Sequence, residues 1–196
     1  EEPTAEPTAE AETSITRGTW TDGVYYNATA GFNFTPPENW LLADDEYIAQ
    51  LVGVSKEMLG TEGEDLSDHE VVYDTFVQNP DNGTNVFIIY QKVSMLGALG
   101  MGIGDIMDEI VKQMGENTAM NCTYVGTTEQ TLGSTDYQCA EFDVDISGMT
   151  IKQYILVNKF MNYTTNITIT AMASEPIEEF LPMFTSAQAA MADCCG

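Results

Sequence analysis

Residues 25–40 alternate apolar and polar positions in two short runs. Phe32 and Phe34 flank Asn33, which gives a strand an apolar face, and Ala30-Gly31 supplies a tight turn ahead of it. Pro36 and Pro37 cannot donate to a ladder, so they end the strand, and Trp40 drops a large ring towards a core. The pattern then switches to helical spacing. Asp44-Asp45-Glu46 place carboxylates at a helix start, Ile48, Leu51, Val52, Met58 and Leu59 follow on one stripe, and Gly60 closes it. Residues 70–78 alternate Val71, Tyr73, Thr75 and Val77 against Val72, Asp74 and Phe76, which predicts a strand. Asn79-Pro80-Asp81-Asn82-Gly83 is a turn by composition, and residues 84–93, apolar on both faces, read as a central strand. Ile103, Ile106, Met107, Ile110, Val111 and Met114 form a second helical stripe.

Four more strands follow. Residues 123–131 lead into a turn at Gly133-Ser134, and residues 137–146 put Ala140, Phe142, Val144 and Ile146 on one face. Ser147-Gly148 turns the chain into residues 150–159, and residues 162–172 alternate Ile167, Ile169 and Ala171 against threonines. Ser174-Glu175-Pro176 is a helix-start signature ahead of Ile177, Phe180, Leu181 and Phe184, with Pro182 placed to kink or break that helix. The predicted order is ββ-α-ββ-α-ββββ-α. Tight turns between strands make the sheet largely antiparallel. The class is α+β: an antiparallel sheet of about six to eight strands flanked by helices.

The element order, together with Tyr-x-Asn-x-x-x-Gly-Phe-x-Phe-x-x-Pro-x-x-Trp across residues 25–40, resembles the PsbP-like superfamily. That group includes the extrinsic photosystem II protein, a yeast nuclear-import factor that binds the GTPase Ran, and many lipoproteins of Gram-positive bacteria. The resemblance implies an α/β/α sandwich around the antiparallel sheet, and a binding role rather than catalysis. It carries over no functional residue.

Composition narrows the picture. Thirty-one acids face six bases, giving a net charge of −25. Nucleic acid and anionic headgroups are repelled by such a chain, whereas an unknown protein or peptide partner of cationic character is attracted. Residues 1–18 open on a Glu-Pro-Thr-Ala repeat with no large apolar residue before Ile15, so they are expected to form a disordered acidic linker. Residues 19–190 then form a single domain and residues 191–196 a tail. No apolar run is long enough to span a membrane. The linker suits the tether of an extracellular, cell-surface lipoprotein whose anchor lies upstream of residue 1. The cysteines, Cys122, Cys139, Cys194 and Cys195, match no zinc spacing and are read as free thiols. A turn at Gly133-Ser134 sets Cys139 opposite about Thr128 rather than Cys122.

Candidate chemistry is sparse. Gly97, Gly100, Gly102 and Gly104 stand between a strand and a helix, where phosphate loops occur, but no Lys-Ser or Lys-Thr follows, and Asp105 and Asp108 would repel a phosphate. Met95, Leu96, Leu99, Met101 and Ile103 are interleaved with those glycines. They either close the core beside the second helix or form an adaptable Met-rich contact surface for a partner. Asp143 and Asp145 resemble the front of a calcium loop, but Tyr154 stands where the bidentate carboxylate belongs. Glu62, Glu64, Asp65, Asp68, His69 and Glu70 are a loose candidate for a cation. No catalytic motif and no cofactor motif is present. The leading expectation is a tethered, non-enzymatic extracytoplasmic binding or adaptor domain. A low-affinity calcium-binding surface protein is the alternative, and a carboxylate-dependent hydrolase is the third.

Overall fold

The computed structural model describes residues 14–27, 30–61, 63–96, 100–117, 121–160 and 162–187. Strands β1 (Thr19–Thr21), β2 (Val24–Asn27) and β3 (Phe32–Phe34) make a small meander near the start of the chain. A two-residue strand β4 (Leu41–Leu42) and helix α1 (Asp45–Val52) come next, followed by the hairpin β5 (Val71–Gln78) and β6 (Asn85–Lys92). Helix α2 (Ile103–Glu116) leads into four long strands: β7 (Asn121–Leu132), β8 (Thr135–Ile146), β9 (Met149–Phe160) and β10 (Tyr163–Met172). The short strand β11 (Phe184–Ser186) is the final described element.

The strands form two antiparallel sheets. The larger has seven strands in the order β4-β5-β6-β10-β9-β8-β7, and the smaller has four in the order β1-β2-β3-β11. The opening hairpin closes as the sequence predicts, with Tyr25 opposite Phe34 and Asn27 opposite Phe32. Hairpin register follows the turn at Gly133: Thr128 faces Cys139, and Cys122 faces Val144. Both of these cysteines are free thiols, and Cys194 and Cys195 lie outside the described residues.

The layering departs from a sandwich with helices on both faces. Cross-strand neighbours Phe87, Thr168 and Ile155 share one face of the large sheet, and both helices pack on that face. The opposite face carries the main core. There Tyr25, Phe32, Phe34 and Phe184 of the small sheet meet Ile88, Tyr137, Leu156 and Ile167 of the large one. The predicted final helix is replaced by two short 3-10 turns, Ile177–Glu179 and Leu181–Met183, and then by β11. Pro182 falls in the second turn, where it removes a backbone donor, and Phe184 goes into the core as a strand residue rather than on a helical stripe.

Three further expectations shift. The first helix ends at Gly53, whose φ of 74° reverses the chain and whose N–H caps the Ala49 carbonyl, so Lys56–Leu59 forms a separate 3-10 turn. Trp40 is only partly buried, at the margin of the main core. The packed chain starts ahead of the linker boundary at residue 18: Ile15 is buried and exchanges hydrogen bonds with Leu66 and Ser67. The rest of that linker, residues 1–13, and the tail at 191–196 lie outside the described residues.

Strand β5 departs from strict alternation, and the departure ties the two sheets together. A bulge between Tyr73 and Thr75 adds a residue to one strand, so Asp74 and Thr75 both face the small sheet while Tyr73 and Phe76 face α1. Asp74 is thereby driven into the core, 2% exposed. Its carboxylate accepts from the Tyr25 hydroxyl, from the Gly18 N–H at 2.9 Å and from Asn27 Nδ2 at 3.1 Å. Gly18 can approach because it has no side chain; a Cβ there would lie 2.4 Å from the Tyr25 ring. Arg17 reaches over the same site, donating to the Asp74 carbonyl at 2.9 Å and to the Asp45 carboxylate at 2.7 Å.

Burial raises the proton affinity of Asp74 above the ordinary value of 3.8, and the hydrogen bonds and Arg17 only partly offset it. A carboxyl that holds its proton more tightly when folded binds more protons in the folded state across the interval between its two pKa values. Stability therefore falls as pH rises through that interval. Compared with an Asp74→Asn variant, the wild type should lose stability from about pH 3.8 up to the folded value and run parallel above it. Urea denaturation of both proteins across pH 3 to 8 reads this directly, and a constant difference across the series would contradict it.

Candidate functional site

Five of the ten large apolar side chains exposed among the described residues gather around α1. Leu41 is 61% exposed and Met58 59%, and Leu42, Tyr47 and Leu51 are also exposed. Asp44 caps α1 by accepting from the Tyr47 N–H at 2.8 Å, which fixes the helix start just past β4. Leu41, Leu42 and Tyr47 consequently line one cleft of about 250 Å³, floored by Phe76, with the Tyr47 and Phe76 ring centroids 5.7 Å apart. Leu51 lies one turn beyond Tyr47 on the same side of α1, and Met58 sits on the 3-10 turn that contacts the helix. Asp44 lines the same cleft, and Asp45, Glu46, Lys56 and Glu57 are close by in the sequence.

The helical periodicity had assigned Leu51 and Met58 to a buried stripe. Here the core takes Ile48, Ala49 and Leu59 and leaves both outside. The early end of α1 at Gly53 breaks the stripe before Met58, while Leu51, still within α1, lies on the outer side of the helix with Tyr47. Leu41 and Leu42 fell between recognisable elements. The signal that could have found them is an apolar pair directly ahead of a helix cap, with no alternation to bury it.

The Gly- and Met-rich stretch divides. Ile103 belongs to the apolar side of α2 and packs on the cluster under that helix. Met101 is exposed, and the Lys159 ammonium donates to its carbonyl at 2.9 Å. Leu99 and the side chains of Met95 and Leu96 lie outside what is described. The loop glycines lead into a helix start closed by Asp105, whose carboxylate accepts from the Gly102 N–H at 3.1 Å.

Four of the acidic candidates for a cation, Asp143, Asp145, Glu64 and Asp65, have side-chain partners of their own, Asp68 and His69 are bonded through the backbone, and Glu62 lies outside the described residues. Asp143 and Glu141 both pair with Lys152 across the β8–β9 hairpin, and Asp145 accepts from Gly148 N–H at 3.2 Å in its turn. Glu64 accepts from the backbone and hydroxyl of Thr61, and Asp65 from those of Ser67, which holds both carboxyls below their ordinary values. Asp68 offers its carbonyl to Lys92, and the His69 N–H donates to the Leu66 carbonyl. Among the described residues no three His, Cys, Asp or Glu groups converge to hold an ion, and no helix is long and apolar enough to cross a membrane.

A second concavity of about 550 Å³ lies between α2 and the large sheet, with Asn166 and Thr168 on its floor. The sequence reading took the polar side of β10 as threonines that favour strands and passed over Asn166. An amide at the centre of an otherwise β-branched strand was the available signal.

No family model matches the chain, and no curated protein matches it. Among solved structures it is similar to the solution structure of cyanobacterial PsbP (CyanoP) from Synechocystis sp. PCC 6803, at 10% identity and a TM-score of 0.48, over 92% of this chain and 98% of that one. It is also similar to a crystal structure from Bacteroides thetaiotaomicron VPI-5482, at 13% identity and a TM-score of 0.43, over 84% of this chain. The chain spans about half of that second structure, 48% of its length.

Cys139 lies in the core, where burial and the nearby Glu141 and Glu178 push its thiol up to about 12. Cys122 sits partly open on the edge strand. Under native conditions at pH 8, iodoacetamide should alkylate Cys122 well before Cys139, and Cys139 should react at the rate of global unfolding. Peptide mass spectrometry over time separates the two sites; equal rates would place Cys139 outside the core.

Proposed function

We propose that this chain is a non-catalytic, extracytoplasmic binding or adaptor domain whose contact surface is the apolar face around α1. Its partner is a cationic, amphipathic segment of a protein or peptide. The observation that carries the reading is the exposed group Leu41, Leu42, Tyr47, Leu51 and Met58, set among carboxylates. A contiguous apolar face rimmed by charge is the usual form of an interaction surface, and a polar rim of one sign selects partners of the other. The net charge of −25 extends that selection beyond the rim. The Glu-Pro-Thr-Ala repeat supports a tether that holds the domain away from a cell surface as a lipoprotein. Met101, exposed at the far end of the Gly- and Met-rich loop, is a second contact element on this reading, with Met95, Leu96 and Leu99 in the same loop.

A synthetic helix of alternating lysine and leucine blocks is the appropriate probe, read by fluorescence anisotropy. It should bind the wild type, weaken as salt rises, and lose at least about tenfold in affinity in the triple variant Leu41→Ser, Leu51→Ser, Met58→Ser. The three sites are exposed, so the denaturant midpoint should shift by no more than about 1 kcal/mol in stability. Unchanged binding in the triple variant, or no binding to the wild type, would overturn the reading.

A further inference from the structure

The face of the large sheet between α1 and α2 has a polar floor. On β10 that face carries Thr164, Asn166 and Thr168, while the opposite face carries Ile167 and Ile169 in the main core. The Thr164 hydroxyl donates to the Gln91 carbonyl at 3.3 Å, so its oxygen is left to accept from Asn166 Nδ2 at 3.0 Å. This chain of donors fixes the Asn166 amide with Nδ2 towards Thr164 and Oδ1 turned the other way. Asn166 is 6% exposed, and its Oδ1 has no donor among the described residues. A buried acceptor without a partner is costly, and this one lines the concavity beneath α2. Gln153, two residues from Ile155 on the same face of β9, also holds a buried Oε1 without a donor among the described residues.

Around the oriented acceptor the lining is mixed: Ile89 from β6, Ile155 from β9, and Ile110 and Met114 from α2 offer hydrocarbon, while Gln91, Gln113 and Asn117 add polar groups at its margin. The last turn of α2 brings Glu116 to the same groove, and no lysine or arginine lines it among the described residues. The volume of about 550 Å³ is of the size that takes a small organic ligand. The acceptor asks for an N–H donor, the walls ask for a hydrocarbon body, and the carboxylate with the overall negative charge asks for a cation.

We propose that the groove between α2 and the large sheet is a binding site for a small organic ammonium compound, with its N–H on Asn166 Oδ1, its charge balanced by Glu116 and its hydrocarbon on Ile89, Ile110, Met114 and Ile155. This site is separate from the face around α1 and takes a different class of ligand.

Amide NMR titration of the full chain with hexylammonium chloride tests it, with hexanol and sodium hexanoate as matched probes. Hexylammonium should give saturable shifts at Ile89, Met114, Ile155 and Asn166; hexanol should bind more weakly, and hexanoate should give none. Asn166→Leu should weaken hexylammonium about tenfold, and Glu116→Gln should narrow its preference over hexanol. Met114→Trp fills the groove from the helix side without touching the buried amide, so it should abolish the shifts even if Asn166→Leu folds poorly. Absence of saturable shifts in the wild type, equal binding of hexanoate, or unchanged binding in Met114→Trp would overturn the proposal and leave Asn166 satisfied by water alone.

Discussion

A carboxylate buried between two sheets has to be hydrogen-bonded, and Asp74 meets that demand with donors drawn from the first strands of the chain. Tyr25 and Asn27 stand two apart on β2, so their side chains leave the strand on one face and reach the same oxygen. The Gly18 amide supplies the other oxygen. These contacts fix where the small sheet sits over the large one, and the aromatic core between them fills around that fixed point. Arg17, anchored on the Asp74 carbonyl, also holds the Asp45 carboxylate in the first turn of α1. The same cluster therefore positions the helix whose outer side carries the exposed apolar face.

The two faces of the large sheet have been given different work by this arrangement. One is closed by the small sheet and is largely apolar and aromatic, with the hydrogen-bonded Asp74 cluster set into it. The other is covered by two helices that lie over its two halves, each with its own apolar cluster. Between the clusters runs the polar side of β10, partly open in the groove under α2. The groove and its oriented acceptor follow from that incomplete cover, because a fully apolar, fully closed face would leave neither.

Long, strongly periodic stretches were legible in the sequence. The stripe from Ile103 to Met114 formed the helix it predicted, and the four strands from residue 121 onward lie where alternation and turn residues place them. The pairing of Cys139 with Thr128 followed from the turn alone. What escaped was set by tertiary contacts. Alternation in β5 put Thr75 with Tyr73, and only the partners waiting across the core explain a bulge that turns Asp74 and Thr75 the same way. The final helix had good local signals, but Phe184 gains more by pairing opposite Phe34 in the small sheet. For Met101 the sequence left a core and a contact reading open, and its side chain is exposed. Leu51 and Met58 were assigned to the core, and Asn166 was missed, because burial on a sheet face depends on what covers it.

The dependence of the fold on the Tyr25–Asp74 contact is the claim on which the joining of the two sheets rests. A double-mutant cycle with Tyr25→Phe and Asp74→Ala, read by urea denaturation near pH 7, measures it. The structure predicts a coupling energy of about 1.5–3 kcal/mol, the range for a buried hydrogen bond to a charged group. Effects that add to within about 0.5 kcal/mol would contradict it, and with it the account of how the two sheets are joined.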